Sequence, residues 1–520
     1  MSKKENKEVT PLFFRYILPD AWSEAEKYAK PVAAEEVVDA IKAGKKVEII
    51  NAVIEGPFIL KSVNVEGEVT IQRTKIRGPL DWSYATFKQV LNLENSLFET
   101  DANFKEVTAE KDIFLNKVRF QGIAMFSDIM VMGVFYCQAA TFKKEVDFFG
   151  SIFRKRVEFS KSTFMGNAEF LSARIGSLAD FNETTFKNLA GFNRVRIEES
   201  ALFRDATFEG EANFVSTRIG SAAVFTEAVF KQIIGFGGAK IEGNAFFNPA
   251  TFEGEANFAS PRFGGDAEFT EAVFKQIANF EGAQIEGDTN FLGTVFADNV
   301  RFQNTSFKTI FFDENGEVKS QLQAKIDLRG CTYDRIHPIS IWEELMEQLE
   351  PYDRQPFTQL EETFRRAGLD ELANDVYYKR KRRESAQKKL SNPVPWLMDR
   401  FLWRLTGYGV RLRYLFYFIV FILFIGTFIF HLEGAVMPNQ NIQPLLVRGS
   451  QDILSYREAF WVSLNNFLPV EILSGAEWRP SSQIIWVLGI KFTTFATLLK
   501  LAGWILVPVG IAGISGLLKR

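Results

Sequence analysis

The chain has little of what most active sites are built from. Its 520 residues hold two cysteines and two histidines. Cys137 and Cys331 lie too far apart to frame a cysteine zinc site, and two thiols exclude a disulfide scaffold. His337 and His431 are too distant for a His-x-x-x-His metal helix and leave histidine-dependent catalysis without its usual residue. No nucleophile–His–acid set, phosphate loop or metal-ligand cluster stands out, so neither an enzyme nor a cofactor is expected. A net charge of −3 removes the general electrostatic case for nucleic acid. Tyrosine and tryptophan are modest at 12 and 9, whereas phenylalanine reaches 53.

The phenylalanines form a ladder. From Phe203 the large apolar residues fall at Phe208, Phe214, Ile219, Phe225, Phe230, Phe236, Ile241, Phe247, Phe252 and Phe258. The steps alternate between five and six residues. The same register runs from Ile49 to Phe307 through 48 positions, of which only Ala109 is neither cysteine nor a sizeable apolar residue. A small residue often stands two places earlier, as at Ala168, Ala179, Ala206 and Ala212. Phe and Ile alternate along the series Phe164, Ile175, Phe186, Ile197, Phe208, which sets a full turn of 22 residues. Such steps hold no single helix face and do not match a strand's period of two. They predict a four-sided solenoid whose stacked turns pair as parallel strands, with about 12 turns between these limits.

This pattern resembles the pentapeptide-repeat proteins, whose motif places a small residue two before Leu or Phe in every five. The resemblance implies a right-handed quadrilateral β-helix, here with a sixth residue in alternate repeats. It also raises mimicry of DNA against a topoisomerase. Residues 201–300 carry a net charge of about −8, which is mild for that role.

The flanks supply caps and a second region. Residues 34–43 read as an amphipathic helix closed by Gly44 that covers the first turn, and 325–333 read as a last turn after an interruption. Residues 340–390 read as a helical hairpin, either a lid on the solenoid or a coupling module. Between 379 and 413 stand eleven Lys or Arg against two acids, a net charge of +9. These include Lys379, Arg380, Lys381, Arg382, Arg383, Arg404, Arg411 and Arg413, expected at a membrane interface. Tyr414 to Leu432 then runs 19 residues without Asp, Glu, Lys or Arg, enough for one bilayer crossing. A second such run is Leu501 to Leu518, with Lys500 expected to snorkel at its edge. The basic stretch marks the cytoplasmic side. A two-pass protein of the plasma (inner) membrane is therefore expected, with cytoplasmic N- and C-termini.

The expected organisation is an N-terminal segment and capping helix (1–44), a β-helix (45–335), a helical neck (336–392) and a basic juxtamembrane segment (393–413). A first transmembrane helix (414–432), an extracytoplasmic segment with a short apolar helix (433–497) and a second transmembrane helix (498–518) follow. Ala459-Phe-Trp-Val-Ser463 and Pro480 resemble the pore helix and post-filter proline of two-transmembrane potassium-channel-type domains. The neck Gly407-Tyr-Gly-Val-Arg411 resembles that of membrane-attached pentapeptide-repeat proteins. The Thr-Val-Gly-Tyr-Gly filter is replaced by Asn465-Asn-Phe-Leu-Pro-Val-Glu471, so potassium selectivity is not implied. Asn465, Asn466, Pro469 and Glu471 are the pore-lining candidates of an oligomer. The competing expectation is a membrane-anchored scaffold with a protein partner on the β-helix. In either case the lipid bilayer is a partner, and a homo-oligomer is the state that a pore requires.

Overall fold

The computed structural model describes residues 6–312, 321–322, 325–387, 393–438, 453–470, 478–485 and 488–515. The chain divides into two compact units, Met1–Gln359 and Leu360–Arg520.

The first unit is a β-solenoid of about 13 turns, with one sheet running through 13 strands. Its strands are mostly two residues long. Thr163–Phe164, Ala168–Glu169, Arg174–Ile175 and Ala179–Asp180 make up one turn. Each pairs in parallel with the strand 22 residues later, so that Phe164 lies beside Phe186 and Ala168 beside Ala190. Isolated two-residue strands have no stability of their own; the repeat supplies the neighbour on each side.

The ladder residues fill the interior as columns. Phe170, Phe192, Phe214, Phe236 and Phe258 stack face to face with centroids 4.8 to 5.1 Å apart. Phe164, Phe186, Phe208, Phe230 and Phe252 form a second stack, and Phe181, Phe203, Phe225 and Phe247 a third. Neighbouring columns meet edge to face, as between Phe203 and Phe214 at 5.4 Å and 87°. Offset stacking within a column and edge contacts between columns both suit the ring quadrupole. The fourth column carries Ile175, Ile197, Ile219 and Ile241, all buried. Three columns of Phe and one of Ile account for the Phe–Ile alternation.

The two step lengths correspond to two local geometries. Every eleventh residue from Asn51 to Asn304 has positive φ, apart from Pro249, whose ring forbids it. Asp205 (φ 55°) shows the pattern: Ala206 N donates to Phe203 O across it at 3.2 Å, closing a turn with the left-handed residue third. These turns occupy the five-residue steps. The six-residue step from Phe208 to Phe214 bends at Gly210 instead, where a Cβ would lie 2.4 Å from the Asn188 carbonyl carbon.

Both ends are covered. At the N-terminus β1 (Asn6–Val9) and β2 (Phe13–Ile17) form an antiparallel hairpin, and β2 adds in parallel to Lys46–Ile50. This extra turn lies within a segment that the sequence pattern left outside the ladder. The short α1 (Glu24–Tyr28) starts at a Ser23–Glu26 capping box. The expected capping helix is α2 (Ala34–Lys42), with Val37, Val38 and Ile41 buried. At the other end Thr332–His337 pairs with Ser306–Phe311. α3 (Trp342–Glu347) then buries Trp342, Leu345 and Met346. A cavity of only about 10 Å³ remains between Phe302, Phe307, Phe312, Tyr333, Leu345 and Met346. The start of α4 (Gln355–Arg366) also touches the end of the solenoid: Gln355 Oε1 accepts from Gly330 N at 2.9 Å, and Gln359 Nε2 donates to Tyr333 O at 3.0 Å.

The second unit is helical. α4 (Gln355–Arg366), which begins just before it, and α5 (Asp370–Gln387) form the expected hairpin around Gly368 (φ 74°). α6 (Pro393–Thr406), α7 (Arg413–Phe430), α8 (Tyr456–Phe467) and α9 (Phe492–Ile514) follow. Val436–Pro438 pairs antiparallel with Trp478–Pro480 between α7 and α9. α9 starts well before the expected 498. No glycine or proline interrupts Phe492–Leu499, and Lys500 lies on an exposed face, so nothing stops the helix there.

Candidate functional site

Two features stand apart from packing: the apolar helices of the second unit and the outward faces of the solenoid. α7 and α9 run 18 and 23 residues, with mean hydropathies of 2.1 and 1.8 over their most apolar windows. Only 22% of either window is buried. Phe416, Tyr417, Phe424 and Phe428 of α7, and Trp504, Ile511 and Ile514 of α9, are exposed. A core helix of a soluble domain would hide such side chains. Both helices are long and apolar enough to cross a membrane, which points toward membrane association.

α8 packs against both by way of small residues. A Cβ on Gly503 would lie 1.5 Å from Phe467 O, and one on Gly426 would lie 2.1 Å from Ser463 Oγ. Ser463 is fully buried and donates to Leu423 O at 3.4 Å. Close backbone approach at Gly and Ser is how helices associate where apolar burial alone gives no preference. The N-terminus of α8 is fixed by a Ser455–Glu458 capping box. His431 Nδ1 lies 2.5 Å from Leu454 O, and its ring stacks on Tyr456.

The pore candidates fall at and beyond the end of α8, which stops at Phe467. Asn466 Nδ2 donates to Val462 O at 2.9 Å. Asn465 Oδ1 is buried without a partner among the described residues. Pro469 follows the helix, and Glu471 lies outside the described residues.

The basic residues separate into two groups. Arg380 is buried and lies 3.5 Å from Glu361, so it holds α5 to α4 rather than facing an interface. Lys381 lies 3.6 Å from Glu384, and Arg411 lies 3.4 Å from Asp375 with its guanidinium 4.1 Å from the Tyr378 ring. Lys379 and Arg383 are half-buried. Arg382, Arg404, Arg413 and Lys500 are exposed. Sequence alone counted all of these together because burial on α5 leaves no mark in a run of like charges.

The neck Gly407-Tyr408-Gly409 places three successive residues at positive φ. The Tyr408 hydroxyl donates to Asp399 Oδ2 at 3.1 Å, and Ser385 Oγ bonds the same carboxylate. Burial is the largest influence pushing the Tyr408 phenol up to about 12. This tyrosine therefore stays a neutral donor and ties α6 to α5.

On the solenoid the ladder phenylalanines Phe203, Phe208, Phe214, Phe225, Phe230, Phe236, Phe247, Phe252 and Phe258 are all buried, and none is available to a partner. Several of the outward charges pair with one another from turn to turn. Lys187 and Lys231 both reach Glu209, at 2.7 and 3.4 Å, and Lys275 reaches Glu253 at 2.8 Å. Arg174, Arg196, Arg218, Lys240 and Arg262 stand on successive turns, with Glu198, Glu242 and Glu286 beside three of them. Elsewhere, burial first and then Asp147 and Glu145 raise the Glu169 carboxyl above its usual value. One face the ladder reading missed carries Gly191, Gly235 and Gly237. At the last two a Cβ would have Val215 Cγ2, at 3.6 Å, as its nearest neighbour. Cys137 and Cys331 are both buried, and burial pushes both thiols up, as fits packed residues rather than reactive ones.

A family model described as pentapeptide repeats (9 copies) matches residues 170–218, 225–273 and 269–314. The chain thus carries pentapeptide repeats wound into a β-solenoid. Comparison with curated proteins finds no match, and comparison with solved structures finds none either.

Proposed function

We propose that this chain is an integral membrane protein presenting a cytosolic pentapeptide-repeat solenoid as a membrane-anchored scaffold or partner-binding module, without a catalytic role. The observation that carries the reading is the exposure of α7 and α9: membrane-length helices with most of their apolar surface outward, in the same chain as a repeat surface of interaction type. The net charge of +9 before α7 supports a two-pass topology in the plasma (inner) membrane, with both termini cytoplasmic. Four strands per turn and a turn residue every eleven support a quadrilateral β-helix with alternating five- and six-residue steps, and its hand is read as right. The net negative charge of the solenoid, about −8 over residues 201–300, argues against nucleic acid as the partner.

A second reading is an oligomeric ion-channel-like protein without a potassium filter. It draws on the position of α8, packed between two membrane-length helices, and on the unpartnered Asn465 Oδ1. Two long helices cannot enclose a water-filled path alone, so three or more subunits are required. The mass of the purified chain in detergent separates the two. A monomer or dimer leaves the scaffold and excludes the pore. A closed ring of three or more subunits, with ion flux altered by Glu471→Gln, replaces the scaffold reading with the channel.

A further inference from the structure

A broad concave surface of the second unit lies between α6, α7 and α9. It encloses about 1210 Å³, above the range of most small-molecule sites. Leu397, Phe401 and Leu405 of α6 form one wall, and Phe418 and Phe421 of α7 with Ile505 of α9 form the other. Arg400 and Arg404, one helical turn apart on α6, also line it. The Arg400 guanidinium is held over Trp396 and Trp403, 5.4 and 5.6 Å from their ring centroids. Asp399, the nearest acid in sequence, is turned to Ser385 and Tyr408 instead. No carboxylate among the described residues lies within ion-pair distance of either arginine.

Three properties select the occupant. The walls are apolar and belong partly to the two membrane-length helices, so the groove suits acyl chains. Two exposed guanidiniums without a carboxylate suit an anionic phosphate, to which arginine donates in a fork. The arginines precede α7 within the basic stretch, which the topology above puts at the headgroup level of the cytoplasmic leaflet. We propose that this groove holds one anionic phospholipid, its phosphate on Arg400 and Arg404 and its acyl chains against Phe418, Phe421 and Ile505. The proposal rests on the membrane reading.

The test uses the full chain in membranes of equal phosphatidylglycerol and phosphatidylcholine. An alkaline carbonate wash comes first; release of the chain at this step refutes the membrane reading and the lipid site with it. If the chain stays in the membrane, mild detergent extraction and native mass spectrometry count the lipids kept by each protomer. The expected result is one lipid, phosphatidylglycerol favoured roughly thirtyfold, as two arginines at a headgroup provide. Arg400→Gln with Arg404→Gln brings the preference close to one. Ile505→Trp, which narrows the groove and leaves the charges, lowers retention of both lipids. A wild-type chain that keeps no lipid overturns the site while leaving the membrane reading intact. So does one that keeps both lipids equally, holds a peptide instead, or retains its preference in the double variant.

Discussion

Removal of a single ring from the ladder probes how the solenoid holds together. Phe203 is fully buried. It stacks on Phe181 and Phe225 at 5.0 and 4.9 Å and meets Phe192 and Phe214 edge-on at 5.3 and 5.4 Å. Its backbone is fixed as well: Phe203 N donates to Val224 O at 2.7 Å, and Phe181 N donates to Leu202 O at 2.8 Å. Because these ladders set the spacing of the turns, the space left by Phe203→Ala cannot close by collapse. The expected cost lies toward the upper part of the ~3–5 kcal/mol range for Phe→Ala, about 4 kcal/mol. Leu202 points outward from the same strand and is half-buried, so Leu202→Ala should cost under ~1 kcal/mol. Hydrogen exchange of the full chain reads the difference locally. In Phe203→Ala the amides of residues 181–225 should exchange roughly a thousand times faster, since each ~1.4 kcal/mol is a factor of ten. An acceleration below tenfold, or an equal effect of Leu202→Ala, would refute the account of a column-packed interior.

Three further outcomes follow from named contacts. Gly220→Ala should destabilise the solenoid by ~1–3 kcal/mol, because its Cβ would lie 2.1 Å from Glu198 O, whereas Gly235→Ala should be nearly neutral; chemical denaturation compares them. Glu169 has its carboxyl raised by burial and by Asp147 and Glu145, so the folded chain holds that proton more tightly than the unfolded chain does. Its contribution therefore grows as pH falls through the raised value toward 4.5 and is absent at neutral pH, where the ionised form is a cost. Glu169→Gln should raise the melting temperature at pH 8 and leave it almost unchanged near pH 4; an equal shift at both would contradict this. Gly503→Leu should separate α8 from α9 and lower the melting temperature in detergent by several degrees, while Gly510→Ala, whose Cβ would meet only Leu415 Cδ2 at 3.4 Å, should change it little.

The solenoid was readable from sequence because each turn repeats the same steric demand. A large inward residue at Phe203 requires one at Phe225 and at Phe181, so the pattern accumulates over many copies. The same logic failed where the repeat ends. β2 buries Phe14 and Tyr16 in alternation, but five residues give too short a pattern to join to a ladder of period 22. How the solenoid is closed depends on Leu345 and Met346 filling a particular gap beside Phe307 and Phe312, which no repeat announces. In the second unit, length and hydropathy made both long helices legible, but the start of α9 was misplaced by assigning Lys500 to a helix end. Arg380 illustrates the same limit. In a run of five cations, only the fold decides which one turns inward to Glu361. The lipid-sized groove has no linear signature, since its walls come from residues 397–405, 418–421 and 505.

The central claim is that a pentapeptide-repeat solenoid is tethered to a membrane by the helices of the second unit. Expression of the full chain beside a version ending at Gln359, followed by membrane fractionation and high-pH washing, tests it most directly. The account predicts that the full chain stays in the membrane pellet and that the shortened chain stays in the supernatant, folded. A full-length chain that remains soluble and monodisperse without detergent would contradict it.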